Sequence, residues 1–527
     1  MNKRIVSLSK LLIEKRYKLL LGILVTSMVM TVGRAFADPS GAAILANDPV
    51  AKISLATNMA WTLAMGSLVW FMQLGFAFLG AGLLRTKNQV NYWSKSYIDF
   101  SIGVVVFALL GFGLMFGGSG ASFPAGIDAK GNIAYIPIPG ISEGNSLIGY
   151  SGFGLAGAAY DPLTLTFFFF QAVFAATSAT IVAGMMAERM KFQAYLLYTV
   201  LINILIYPVY GHWIWGGGWL ATLPFGVGAK DFAGSGAVHA VGGFAGLAGA
   251  LLLGARIGKF NKDGTANAMP VHNIAYVFAG TFILFFGWFG FNPGSTLGTI
   301  DFRTATVAVT TYLAGGAGAT IMVYWTYLER KNWKGKVSDP VAISTGALGG
   351  LVSITAASAY VPPWAAIIIG MIGGPLAVYA NFFVERKLKI DDPVGAFGVH
   401  GACGLFGLLS VGIFSDGTYG GVKGILLFGA DGVGQLIAQL IDIAVVAGFS
   451  FGMGLLIFGF IKMTVGLRVP VNVELEGVDK HEHGYIVYPE TQLIRAETEA
   501  TLELEKEAMS KEAGKALLSN SKKRTES

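Results

Sequence analysis

The sequence predicts an all-α integral membrane protein of eleven transmembrane helices. They form a 5+5 inverted repeat plus a final helix, with the N-terminus outside and the C-terminus inside. Three observations carry this. The 527 residues are 54% hydrophobic and only 13% charged, with mean hydropathy +0.61, whereas charged residues make up about a quarter of an ordinary soluble domain. Eleven stretches reach the ~20 apolar residues that a membrane helix needs. One segment also recurs: Asp231, Gly234, Val238, His239, Gly243, Gly246 and Leu247 match Asp392, Gly395, Val399, His400, Gly404, Gly407 and Leu408 at a constant offset.

Residues 1–37 carry seven Lys and Arg against the single Glu14, then an apolar run, then Ala35-Phe36-Ala37. This pattern reads as a cleaved secretory signal; a retained first helix is the alternative. The membrane domain follows at 38–465. Its spans fall near 56–84, 97–117, 163–187, 194–216 and 234–255 in the first repeat (56–255). Those of the second repeat (271–414) fall near 271–291, 305–328, 340–360, 364–384 and 394–414. The last helix is 435–465. The glycine-rich stretch 340–374 divides least clearly. Loops after odd-numbered helices hold fifteen Lys and Arg, among them Arg85, Lys95, Arg189 and Arg256, and the even-numbered loops hold four. Positive residues collect on the cytoplasmic side, which places the mature N-terminus outside, as a cleaved signal would.

The long loop 118–162 is rich in Gly, Pro and Ser and is expected to form an irregular external cap. The tail, 466–527, ends in a polar stretch rich in Glu, Lys and Ala that suits a polar helix or a disordered end. The single cysteine, Cys403, excludes an intrachain disulfide framework, and its apolar setting disfavours a metal site. There is no nucleotide-binding loop, metal triad or nucleophile with a base, so no enzyme and no cofactor is expected. No basic patch outside the membrane-flanking loops suggests nucleic-acid binding.

Six histidines are present. His212 reads as a hydrogen-bonded structural residue and His272 as solvated or capping. His481 and His483 are weak as a metal pair on a polar tail. His239 and His400 stand apart, because each opens one copy of the repeat. They are either two separately satisfied core residues or one paired site, and the shared context favours the pair. An intramembrane ionisable residue is costly and marks function. Paired imidazoles can share a proton, one nitrogen donating and the other accepting. Like-charge repulsion allows at most one to be charged.

Aromatic residues crowd three helix ends: Phe167 to Phe170 with Gln171 and Phe174; Gly211-His212-Trp213-Ile214-Trp215-Gly216; and Trp288-Phe289-Gly290-Phe291-Asn292-Pro293-Gly294-Ser295. Two readings fit them. One is an interfacial aromatic belt. The other is a vestibule whose ring faces attract an ammonium-type cation, with Ser295 as an acceptor.

At these residues the chain resembles the ammonium transporter, methylammonium permease and Rhesus family, on its bacterial ammonium-transporter branch. The carrying motifs are Asp231-Phe232-Ala233-Gly234-Ser235-Gly236 before Val238-His239, the stretch Gly287 to Ser295, and Asp391-Asp392-Pro393 before Phe397-Gly398-Val399-His400-Gly401. The resemblance implies uptake of ammonium or methylammonium across the cell (inner or plasma) membrane, without a cofactor. By position, Phe174, Trp215 and Ser295 resemble the external recruitment site. Phe174 and Phe291 resemble the stacked phenyl gate, and His239, His400 and Trp288 the pore lining. Asp231 resembles a structural and electrostatic carboxylate. The resemblance further implies a homotrimer in the lipid bilayer and a cytoplasmic face that binds trimeric signal proteins of the PII class. Alternatives within reach of the same motifs are an ammonium sensor signalling through its tail and a Rhesus-type gas channel. The chain departs from the family at Gly395, where some members have an acid, and at Pro293, where Ala is common.

Overall fold

The computed structural model describes residues 49–128, 132–329, 338–490, 501–507 and 509–511. The signal segment 1–37 and most of the stretch beyond 490 lie outside the described residues. Among the described residues ten helices are long and apolar enough to cross a membrane: α1 Lys52–Leu83, α2 Thr86–Phe116, α3 Pro162–Met185, α4 Phe192–Ile214, α5 Ser235–Leu253, α6 Ile274–Thr296, α7 Arg303–Leu328, α9 Pro363–Arg386, α10 Phe397–Phe414 and α11 Ile425–Thr464. Between α7 and α9 lies the shorter apolar helix α8, Pro340–Thr355. Eleven expected spans thus correspond to ten long helices and one of 16 residues. At 1.5 Å per residue, α8 is about 24 Å long, less than the ~30 Å hydrocarbon layer.

Side chains fix several starts. Asp161 accepts from the Leu163 N–H with Pro162 in the first turn, Asp339 accepts from Val341 and Ala342 with Pro340, and Asn273 accepts from Tyr276. Each oxygen satisfies an amide that the helix itself leaves open. The ambiguous stretch 340–374 is explained by close packing. A Cβ at Gly350 would stand 3.3 Å from Gly318 Cα in α7, and one at Gly349 only 2.5 Å from the Gly373 carbonyl in α9. Glycine here serves helix contact rather than chain breaks.

The repeated segments adopt matching geometry. Before α5, Gly234 has φ +114°; before α10, Gly395 has φ +68°. Both are left-handed positions that favour glycine. A Cβ at Gly395 would also stand 2.5 Å from Asn381 Nδ2, a local reason for the departure from the family's acid. Each helix then opens with one wide turn, Ser235–Ala240 and Phe397–Ala402, and these turns carry the two histidines. The helices cross reciprocally. A Cβ at Gly243 would lie 2.5 Å from the Gly401 nitrogen, and one at Gly404 2.9 Å from the Ala240 nitrogen.

The long loop is more regular than expected: β1 (Ser122–Ile127) and β2 (Ile133–Pro137) form an antiparallel hairpin. At the opposite end of the bundle the tail carries a short helix, α12 (Val471–Glu476), and is tied down. Lys87 donates to the Glu474 carbonyl, Asp479 accepts from the Val90 and Asn91 amides, and the Val469 N–H donates to the Arg189 carbonyl.

Candidate functional site

The aspartate of each repeat builds the turn that carries its histidine. Asp231 Oδ1 accepts from the Gly234 and Ser235 amides and Oδ2 from Gly236 and Ala237, all at 2.8–2.9 Å. Asp392 accepts from the Val394 and Phe397 amides. The two carboxylates therefore do the same local work at opposite ends of the bundle. The Asp231 carbonyl also accepts from Trp215 Nε1 at 2.6 Å, which fixes the indole.

Trp215, Phe174 and Ser295 line one cavity of about 200 Å³ at the hairpin end, with Gln171 and Phe232. Ser295 Oγ donates to the Phe291 carbonyl at 2.8 Å, leaving its lone pairs free to accept. Trp215 presents its edge to Phe174, centroids 6.2 Å apart at 80°. Below the cavity Phe174 and Phe291 pack at 4.2 Å and 37°, and both are fully buried. Their rings lie between Trp215 on one side and His239 on the other.

Behind the phenyl pair lie the imidazoles. His239 stacks on Phe291 and on Trp288, each at 5.3 Å. Its Nδ1 is 3.0 Å from Nδ1 of His400. At that distance one Nδ1 carries the proton and the other accepts it, so a neutral pair holds opposite tautomers. His239 Nε2 is buried without a partner. Trp288 is oriented by its Nε1–H, which donates to Thr355 Oγ1 at 2.9 Å. His400 packs on Phe76 at 6.1 Å and roofs a narrow cavity of about 40 Å³, also lined by Thr180, Ile181, Leu348 and Val394. Val394, Val341 and Leu83 are shared with a wider cavity of about 640 Å³ at the tail end. One file of residues therefore runs from the aromatic cavity past the phenyl and histidine pairs to the opposite face.

All eight residues singled out from the sequence fall on this file or on its support. Others were not singled out. Phe76 and Thr180 sit in apolar helices with no pattern to mark them, and Thr355 is an ordinary hydroxyl until Trp288 is placed against it. His212 is structural: both ring nitrogens face backbone carbonyls, of Met115 and Asn145. His272 faces the Ala81 carbonyl and the Tyr488 hydroxyl. Among the described residues no His, Cys, Asp and Glu group is placed to hold a metal.

Of the basic residues taken as loop charges, Arg189 and Arg256 prove to be buried and Arg85 partly so. Arg256 grips Asp391 with Nε and Nη2 at 2.8 and 2.9 Å, and reaches Glu188 at 3.1 Å. Arg85 Nε holds Glu188 at 2.8 Å, and Arg189 donates to the Asp391 and Gly254 carbonyls. Burial by itself would raise the Glu188 carboxyl, but Arg256 and Arg85 outweigh it and hold it at about 2. Asp391 is held at about 2 in the same way, by Arg189 and Arg256 against burial. Both values lie below the ordinary 4.5 and 3.8. The two carboxylates therefore contribute stability that is complete above about pH 5 and lost as pH falls toward 2, on the order of a few kcal/mol. The unfolding temperature in detergent is expected to be level from pH 7 to 5 and to drop below that. A level profile down to pH 2.5 would contradict the assignment.

A bundle of long apolar helices with a mostly apolar file through it, entered by an aromatic cavity, defines a multi-pass membrane protein built to pass a small solute. The chain belongs to the Ammonium Transporter Family, whose model matches residues 60–488. It is 42% identical over 493 residues to the ammonium transporter Amt2 of Archaeoglobus fulgidus, covering 91% of this chain and 97% of that one. Among solved structures it is similar to a sensor Amt protein, with 36% identity, TM-score 0.72, and 82% and 99% of the two chains covered. It is also similar to Mep2 of Candida albicans, with 26% identity, TM-score 0.67, and coverage of 81% and 89%. The Archaeoglobus fulgidus relative is named a transporter, a class distinct from enzymes.

Proposed function

We propose that the protein takes up ammonium by recruiting the ion at the aromatic cavity, removing a proton at the phenyl gate, and conducting neutral ammonia along the paired histidines. The hairpin end faces outward and the tail end inward. The observation that carries this reading is the Nδ1 to Nδ1 contact of 3.0 Å between His239 and His400, set directly behind the phenyl closure and ahead of an apolar cavity.

The physical reason is selectivity. Ammonium and potassium are similar in size, so a wet hole would pass both. Removing a bare ion's hydration in an apolar path costs many kcal/mol. Ammonium can shed a proton and enter neutral, whereas potassium has no such route. The rings of Trp215 and Phe174 attract the cation, Ser295 Oγ accepts one N–H, and Asp231 adds negative charge behind Trp215 while holding the helix start. The proton crosses separately, so uptake is electrogenic in net effect. Uptake of labelled methylammonium into proteoliposomes tests the function: ammonium should compete and potassium should not, and equal competition by potassium would refute it.

Trp215→Leu removes the cation–π face, worth about 1–2 kcal/mol when desolvated, and should raise the half-saturating ammonium concentration about tenfold. An unchanged value would remove Trp215 from recruitment. Apolar side chains exposed along α6 and α7, including Phe282, Phe286, Tyr312 and Tyr324, support a homotrimer face. The tail docked against α2 and its neighbours supports an inner surface read by a PII-type partner. The likeness to a sensor Amt protein favours a second reading, in which the same site reports ammonium through that tail with little flux. Flux measured in the competition experiment separates the two.

A further inference from the structure

Beside the path, between α1, α2, α3 and α4, lies a group of buried polar side chains that the steps above do not use. Asp99 is fully buried in α2. Its Oδ1 accepts from Thr199 at 3.3 Å, and its Oδ2 has no partner. Thr180 and Tyr195 face the same carboxyl, but their hydroxyls are committed elsewhere. Thr180 donates to Gln73 Oε1 or the Ala176 carbonyl, and Tyr195 to the Lys95 carbonyl. Asn203, one turn beyond Thr199, leaves its Oδ1 unpartnered, as Ser96 leaves its Oγ and Gln73 its Nε2. Four orphaned polar atoms on facing helices are costly in an apolar interior. A water molecule bridging them would meet that need in either charge state of Asp99. It would donate to the carboxylate and to Asn203, or accept from the carboxyl and donate to Asn203.

The group borders the ammonia path. Thr180 and Tyr92 line the narrow cavity beneath His400, so the Thr180 hydroxyl separates that cavity from Asp99. Toward the tail end the next charge is Lys95, buried one turn earlier in α2, with its Nζ on the Met190 carbonyl at 3.2 Å. The titratable groups facing Asp99 are thus Lys95 and Tyr92 from α2 and Tyr195 and Tyr198 from α4.

We propose that Asp99 is the proton-holding residue inward of the histidine pair, in a hydrated side branch that opens to the path at Thr180. The proton leaves the imidazole pair for water in the cavity and from there reaches the Asp99 carboxylate, which becomes a carboxyl. Release to the tail end regenerates the carboxylate. Proton and charge balance over each cycle, and ammonia passes without entering the branch. The inference rests on the reading that the proton crosses apart from ammonia.

The test uses the full-length protein in liposomes, with ammonium-evoked current and labelled methylammonium uptake measured on the same preparation. Asp99→Asn is expected to lower the current about tenfold or more while uptake stays near the wild-type level. Thr199→Val, which lies off the path, keeps the shape and removes the hydroxyl that meets Asp99 Oδ1, should give the same split and decides the matter if the Asn variant does not assemble. Wild-type current in both variants would overturn the proposal. So would equal loss of current and uptake, because a purely structural role lowers both together. A wild-type protein that takes up tracer without current would instead sink the separate-proton reading, and this inference with it.

Discussion

Replacing both His239 and His400 by alanine is expected to lower ammonium uptake about a hundredfold, because the double change strips two buried hydrogen-bonding partners, worth about 1–3 kcal/mol each, from a path that is otherwise apolar. The rings also fill the space between Phe291 and the cavity below, so their loss leaves a gap lined by Trp288 and Phe76. Ammonia crossing that gap would have no group to donate to or accept from. The single replacements are not independent. Removing either ring ends the Nδ1 to Nδ1 contact and frees the survivor to change tautomer, so each single variant should fall most of the way to the double. Uptake of labelled methylammonium by the purified variants measures this. Wild-type uptake in the double variant would remove the histidines from the mechanism.

The second large effect lies at the other end of the bundle. Arg256→Met should destabilise the protein by about 3–5 kcal/mol, the cost of leaving buried carboxylates without their counter-charge. Both acids are wholly buried, and Arg256 touches both Glu188 and Asp391. Arg256→Lys should recover little, since an ammonium lacks the planar fork that meets Asp391 with two nitrogens and still reaches Glu188. Thermal unfolding in detergent, read from tryptophan fluorescence, should show a marked drop in both variants. A near-native lysine variant would mean that net charge, and not the fork, holds the cluster. Glu188 belongs to the turn after α3, Arg256 to the turn after α5 and Asp391 to the turn before α10. The cluster therefore positions the helices that carry both histidines, and Arg256 itself lines the wide cavity at the tail end.

How much of this was legible follows from how each residue signals itself. The histidine pair was legible because a repeated segment brought the same residue types twice, and in the folded chain their nitrogens lie in contact. Gly234 and Gly395 were visible as matching letters, but only the backbone shows both in the left-handed turn. The phenyl gate depended on the family resemblance, since a run of Phe in a membrane helix has many uses. The charge cluster was hidden for a physical reason. Arg85, Arg189 and Arg256 sit at helix ends, where a basic residue ordinarily signals the cytoplasmic flank, and nothing local tells a solvated arginine from one gripping a carboxylate 135 residues away. Lys95 was obscured by the helix boundary, whereas Asp99 lay inside the expected span without a pattern to mark it. The second span was expected to begin near 97, whereas α2 begins at Thr86 and carries Lys95 inside. The aspartates of the two repeats face opposite ends, yet both hold the start of a histidine helix.

The central claim is that ammonium crosses as ammonia with its proton travelling separately. The most direct measurement is the current evoked by an ammonium pulse on liposomes containing the purified protein, with potassium as competitor and tracer uptake measured in parallel. The account predicts an inward current that saturates with ammonium, is unaffected by excess potassium, and is absent when potassium alone is pulsed. Tracer uptake without any current, or a current carried by potassium, would contradict it.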